Sequence, residues 1–376
     1  MRAQYLMWDA QCGWNGAPDG APDLVFYFAS RASLADGTAL KELRASFPHA
    51  RLVGCSTGGH ILGNEVLDHE LAALALTFAH TPIRIAQVDA GAGEASHARG
   101  AALGAELAAP DLSAIYVLSD GLQVNGAQLV AGLVSHVGPK VTLAGGLASD
   151  GADFAETLVG ADDDVRPGRI VAVGFYGPAI QITTGSAGGW DVFGPKRKVT
   201  RSRGNVLFEL DGMPALALYE RYLGPEAEGL PGSGLLFPLR IFDPNEPDHD
   251  IVRTILAIDR AAGSMTFAGD IPQDWTAQLM RGTHRNLVAG AAAAAAEAGA
   301  KASRPVEAAL LVSCIGRRLL MGQRVADEIE AVGAALGEAT PRAGFYSNGE
   351  LAPHARSGFC ELHNQTMTIT TFAEAC

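Results

Sequence analysis

Apolar positions along the chain fall into short unbroken runs, each followed by an amphipathic stretch and a glycine-rich turn. Leu24-Val25-Phe26-Tyr27-Phe28 shows no polar alternation, as expected of a strand buried on both faces. Leu40, Leu43 and Phe47 then recur at helical spacing, before a second strand, Arg51-Leu52-Val53-Gly54. The order returns twice. Ala114-Ile115-Tyr116-Val117-Leu118 leads to a helix with Leu129, Leu133 and Val137 on one face, N-capped by Asn125, and then to Val141-Thr142-Leu143-Ala144. Ala309-Leu310-Leu311-Val312-Ser313 leads to a helix carrying Val325, Ile329, Val332 and Leu336, and then to a strand around Arg342 to Tyr346.

Each second strand ends in a turn of the form G-x-x-[ST]-x-G: Gly54 to Gly59, Gly146 to Gly151 and Gly344 to Gly349. Another apolar strand follows every turn, at Leu71 to Phe78, Ile170 to Phe175 and Thr366 to Phe372. The spacing predicts an internal repeat of strand, helix, strand, turn, strand, and hence an α/β protein with mixed sheets. The middle of the chain reads as β-rich: Ile180 to Thr184, Lys198 to Ser202, Asn205 to Leu210 and Arg253 to Ile258, with a helix opening at Pro214. Gly224 to Pro238, rich in Gly and Pro, is the expected domain boundary.

Composition narrows the class. At ~150 residues per domain, 376 residues suggest two or three domains. With 48% hydrophobic and 18% charged residues the chain is neither disordered nor a coiled coil. The net charge is −13 and the longest basic run is Lys196-Arg197-Lys198, which argues against a nucleic-acid partner. Five scattered cysteines without a C-x-x-C fit a reducing compartment. The N-terminus lacks a signal-peptide core and no apolar run is long enough to span a bilayer, so a cytoplasmic protein without a membrane partner is expected.

Several motifs invite chemistry. Gly91-Ala92-Gly93-Glu94-Ala95-Ser96 imitates a dinucleotide fingerprint, but Ser96 stands where the third glycine packs and Glu94 would oppose a pyrophosphate. There is no P-loop. Ser149 and Ser347 differ in spacing from a nucleophile elbow and lead into strands, so they read as turn-capping hydroxyls or as ligand contacts. Cys314-Ile315-Gly316-Arg317-Arg318 stands at the end of a strand entering a helix, where α/β sheets place ligands. The arginines could bind a carboxylate or activate Cys314, or they could be solvated beside a buried thiol. If a strand begins at His363, alternation puts His363 and Gln365 on the face of Met367 and Ile369; His363 is then a core histidine or a haem ligand. His249 and His354 offer no spacing that specifies a metal.

Taken jointly, several blocks resemble the FIST family of sensory domains. They are Gly54 to Gly59, Gly145 to Asp150, Val173 to Gly177, Gly204 to Gly212, Ser313 to Arg318, Gly344 to Pro353 and Cys360 to Thr366. The resemblance implies a two-module architecture, residues 22–223 and 224–376, that binds a small molecule such as an amino acid and is not an enzyme. It also implies relatives that bind haem, sense nitric oxide and regulate a separate histidine kinase. The two modules use almost every residue, so a partner protein is expected to carry the output. The expected ligand contacts are Arg317 or Arg318 for an anionic group, with Ser347, Asn348, Glu350, Asn364, Ser149 and Thr57 supplying hydrogen bonds. A haem sensor using His363 and an enzyme using Cys314 are the alternatives.

Overall fold

A computed structural model of the protein describes residues 1–16, 19–91, 93–138 and 140–375. Three units follow one another along the chain. The first holds strands Arg2–Asp9, Leu24–Ala29, Arg51–Ser56 and Leu71–Thr77. The second holds Ile83–Asp89, Leu112–Ser119, Thr142–Leu147 and Arg169–Tyr176, and the third Ile180–Ala187, Ala308–Cys314, Arg342–Ser347 and Met367–Glu374. In every unit the strands lie side by side in the order third, second, fourth, first. Only the second and third strands run parallel, and a parallel pair needs a crossover. Helices supply it: Arg31–Asp36 with Thr38–Ser46, Gly126–Val137, and Ile315–Met321 with Ala326–Leu336. Asn125 caps the second crossover as expected, its side chain accepting from Gln128 N–H at 3.2 Å.

The three sheets stand around one core. Leu24, Phe26 and Phe28, Ala114, Tyr116 and Leu118, and Ala308, Leu310 and Val312 all point inward to it. The alternating residues, such as Val25, Val117 and Leu311, point outward under the helices. Burial on both faces is the physical reason that these strands read as unbroken apolar runs.

The repeat has a feature that periodicity did not expose. After each glycine turn comes a hairpin, and each hairpin joins the sheet of another unit. His60–Leu62 pairs with the third unit's Arg342–Ser347, Val159–Ala161 with the first unit's Arg51–Ser56, and Gly349–Pro353 with the second unit's Thr142–Leu147. Three backbone hydrogen bonds close the circle where the turns meet: Gly58 N–H to Tyr346 C=O (2.9 Å), Ser149 N–H to Ser56 C=O (3.0 Å) and Asn348 N–H to Leu147 C=O (3.2 Å). Equivalent residues are therefore Gly58, Ser149 and Asn348. This shifts the expected alignment of the middle turn by one residue. The glycine that matches Gly54 and Gly344 is Gly145, because these three lie opposite Tyr27, Leu311 and Val117 in register.

Residues 190–282 form a β-rich insertion between strand Ile180–Ala187 and helix His284–Lys301 of the third unit. It has its own core, in which Leu216 and Tyr219 cluster with Leu239, Phe267 and Leu279. The stretch from Gly224 to Pro238 runs over this core, so position 223/224 falls inside one packed body. The strand expected from Arg253 to Ile258 is split at Thr254 into Asp250–Arg253 and Ile255–Asp259. These two segments are opposite edges of the insertion's sheet, which curls until its edges meet there. The strand expected to begin at His363 is also broken: Cys360–His363 and Met367–Glu374 are separate, with Gln365 between them at φ 66°. A two-residue period therefore does not carry from His363 to Met367. Among the described residues, no helix is long and apolar enough to cross a membrane.

A Cβ at Gly54, Gly145 or Gly344 would meet the carbonyl oxygen of Tyr27, Val117 or Leu311 at 2.1, 1.9 and 1.9 Å. The backbone of a buried sheet cannot yield there. Gly344→Ala is expected to cost more than ~2 kcal/mol in urea unfolding. Gly232→Ala, with nothing within 4 Å, should stay within about 0.5 kcal/mol.

Candidate functional site

The closing of the three turns leaves two side chains and one glycine at the centre. Ser149 Oγ donates to Asn348 Oδ1 at 2.8 Å, and Gly58 presents only its backbone. The Asn348 side chain is 5% exposed, yet its Nδ2 has no hydrogen-bond partner among the described residues. Orphaned buried amide donors are uncommon, because leaving one unmet costs about 1–3 kcal/mol.

Asn348 forms part of the wall of a cleft of about 540 Å³ between the three-unit core and the insertion. From the core side come Gly93 and Glu94 at the start of helix Ser96–Leu107, and Asn125 and Gln128 at the start of helix Gly126–Val137. From the insertion come Arg203, Asn205 and Asp270. Asp270 is already engaged: its two oxygens accept from Asn125 Nδ2 and Gln128 Nε2, each at 2.8 Å, which ties the insertion to the core. The exposed Arg203 makes no ion pair among the described residues. The cleft thus offers a cation, an amide donor and two helix N-termini on one side of its chemistry, and Glu94 on the other. An anionic or zwitterionic molecule meets complementary groups there.

The residues expected to bind ligand are dispersed by the fold. Asn348 alone of them lines this cleft. Ser149 lies directly behind it. Ser347 donates from Oγ to Glu350 Oε1 at 2.6 Å, and Glu350 Oε2 accepts from the Thr366 N–H and hydroxyl at 3.0 and 2.9 Å. Asn364 is buried beside them, donating to the His363 carbonyl. Thr57 caps the Gly59 N–H and meets His60 Nδ1 at 3.3 Å. Arg317 is wholly buried, and its guanidinium is consumed by Glu328 (2.7 Å), the Leu287 carbonyl and the Gly188 carbonyl. Glu328 in turn accepts from Ser313 and Tyr346, so this arginine holds the third unit together and has no face for a ligand. Arg318 reaches the opposite side of the turns, binding Asp68 and the Gly58 carbonyl.

His363 is poorly placed for haem. Its Nε2 donates to the Ala352 carbonyl oxygen at 3.0 Å, so this nitrogen carries the proton and only Nδ1 keeps a lone pair. The adjoining cavity is about 230 Å³, below the ~300 Å³ at which small-molecule pockets begin. Burial also pushes its pKa down to about 4, as befits a neutral core histidine. Burial raises the Cys314 thiol far above its ordinary range, chiefly by desolvation and further by Glu350. Such a thiol is the reverse of an activated nucleophile.

The cleft residues Arg203, Asn205 and Asp270 escaped the sequence reading. Gly204-Asn205 sits in a block of family resemblance, which was a usable signal. Nothing local marked Asp270, whose partner Asn125 is 145 positions away.

Two family models together cover most of the chain, and their junction falls within the insertion. The FIST N domain model matches residues 23–213 and the FIST C domain model residues 215–353, so the chain belongs to the FIST family, whose domains are sensory, ligand-binding parts of signalling proteins. Two uncharacterized proteins of Mycobacterium tuberculosis, from strains CDC 1551 / Oshkosh and ATCC 25618 / H37Rv, are each 26% identical over 364 residues, covering 94% of this chain and 92% of their own. The crystal structure of a cyanuic acid hydrolase from A. caulinodans aligns over 100% of this chain and 99% of its own, at 10% identity and a TM-score of 0.34, too remote to bear on function.

Two outcomes follow from the buried groups. Desolvation pushes Glu350 from 4.5 up to about 7, so between those values the folded form holds a proton that the unfolded form has lost. That contribution makes stability fall as pH rises through the window. Glu350→Gln removes it, and the variant should gain on the parent by on the order of 1–3 kcal/mol between pH 5 and pH 8 in denaturant titrations. In the native state at neutral pH, a maleimide should label the exposed Cys12 and spare Cys55, Cys314 and Cys360, as read by peptide mass spectrometry.

Proposed function

We propose that the protein is a non-enzymatic sensor of a small carboxylate-bearing molecule, of the amino-acid class, bound in the cleft between the three-unit core and the insertion. The observation that carries this reading is the Asn348 Nδ2 donor, which has no partner among the described residues, in the wall of a cleft that Arg203, without an ion pair among the described residues, also lines. A ligand carboxylate satisfies both, and a ligand ammonium group is complementary to Glu94. Asn348 is also one of the three residues that close the core, so a bond to its amide acts at the point where the units join.

The cleft has one wall from each body, so occupancy favours one arrangement of the insertion over others. That difference is what a separate signalling protein, such as a histidine kinase, reads. Haem and cysteine chemistry have no comparable support: the His363 Nε2 is spent on a carbonyl and the Cys314 thiol is held protonated.

The test is thermal unfolding with a panel of amino acids and simple carboxylates. A ligand at 100 times its Kd adds about 2.7 kcal/mol of stability, a clear rise in Tm. Arg203→Ala and Asn348→Ala are expected to weaken the response at least about tenfold, since a lost charged hydrogen bond is worth ~1.5–3 kcal/mol. A panel that leaves Tm unchanged, or a response that both variants retain, would sink the proposal.

A further inference from the structure

The turn-borne hairpin of the third unit approaches the insertion at a second place, remote in kind from the polar cleft. Three groups meet there: His249, from the acidic loop between strands Leu239–Phe242 and Asp250–Arg253, and His354 and Glu361, from the hairpin Gly349–Pro353 and Cys360–His363. One ligand atom from each lies within 4.8 Å of the other two. His249 Nε2 stands 2.8 Å from Glu361 Oε1, and the His249 and His354 rings are 4.4 Å apart between centroids. All three side chains are half-buried.

We propose that these three residues form a binding site for a divalent transition metal of the zinc type, which clamps the insertion to the exchanged hairpin. Two imidazoles and one carboxylate are a borderline N/O donor set, suited to zinc rather than to calcium or magnesium. Ligand atoms around a tetrahedral zinc stand roughly 3.3 Å apart, given bonds of ~2.0–2.1 Å. The observed spacings bracket that value, so small side-chain adjustments suffice.

The surroundings orient the donors as the second layer of a metal site does. His354 Nε2 faces the Asp250 carbonyl at 3.1 Å, which fixes the proton there and leaves Nδ1 as the acceptor. That Nδ1 takes only a long bond, 3.3 Å, from the Arg356 N–H. Ser357 Oγ donates to Glu361 Oε1 at 3.1 Å, and Glu246 lies 3.8 Å from His249 Nδ1. The His363 ring is parallel to His354, 6.0 Å away between centroids, and backs it from the core side. The loop is acidic, with Asp243, Glu246, Asp248 and Asp250; Asp250 pairs with Arg240 and Asp248 with Arg356, and Glu246 is the carboxylate beside the His249 ring. Without metal, the loop and the hairpin are joined by the His249–Glu361 contact, the His354 bond to the Asp250 carbonyl and the Arg356–Asp248 ion pair, and a metal would add a coordinate crosslink to these weaker contacts.

The proposal is independent of the ligand in the cleft. The test strips the full-length protein with a chelator and titrates it with zinc chloride by calorimetry. Binding of one zinc per chain with a rise in Tm is expected, and cobalt should give the visible bands of a low-coordinate site. His249→Ala and Glu361→Gln should each weaken zinc binding at least about tenfold and abolish the rise in Tm. Glu361→Gln keeps the shape and a hydrogen bond to His249, so its loss of zinc would not be a folding failure. His136→Ala, an exposed histidine on helix Gly126–Val137, should bind as the parent does. Absence of stoichiometric zinc, or retention of zinc by both variants, overturns the site. Binding that leaves Tm unmoved overturns the clamp.

Discussion

The structure depends on a closed ring of three main-chain hydrogen bonds, Gly58 to Tyr346, Ser149 to Ser56 and Asn348 to Leu147. Each joins a glycine-rich turn to the end of the strand in the next unit. Around this ring every unit lends its hairpin to a neighbour, and the third unit borrows from the first. A heterologous contact closes only if the rotations add up, and here the three units of one chain complete the turn. No unit can complete its own sheet. The shared core of inward-facing residues, Phe28 and Phe345 stacked at 4.9 Å among them, exists only when all three are present.

Closure explains both the polar centre and its asymmetry. The three equivalent positions at the ring are Gly58, Ser149 and Asn348, so threefold backbone geometry carries unlike side chains. The insertion breaks the repetition further, because only the third unit carries it. It covers one side of the ring and creates the cleft, with Asp270 anchored on the start of helix Gly126–Val137 in the second unit. Arg317 and Glu328 support the arrangement from inside the third unit. A fully buried ion pair is retained with extra bonds from Ser313 and Tyr346, since losing either partner would strand a charge.

The strands and crossover helices were legible because they obey local rules. Asn125 caps its helix, and apolar runs such as Ala308 to Val312 announce burial on both faces. The site was much less legible. Arg317 and Arg318 look alike in sequence, yet one is sealed in the core and the other binds Asp68 at the surface. His249, His354 and Glu361 have no spacing that signals a metal, because the loop and the hairpin that bring them together belong to different packed bodies.

By itself the sequence determined the α/β class, the threefold recurrence and the family. Those follow from short-range periodicity, which acts within a few residues, and from the recurrence of glycine where each third strand lies against the second, one crossover earlier in the chain. Only the tertiary structure decided which unit each hairpin joins, where the insertion lies, and which polar groups are left unpaired. These are matters of long-range pairing and desolvation. A side chain's neighbours at 3 Å are set by chain closure, not by its neighbours in sequence.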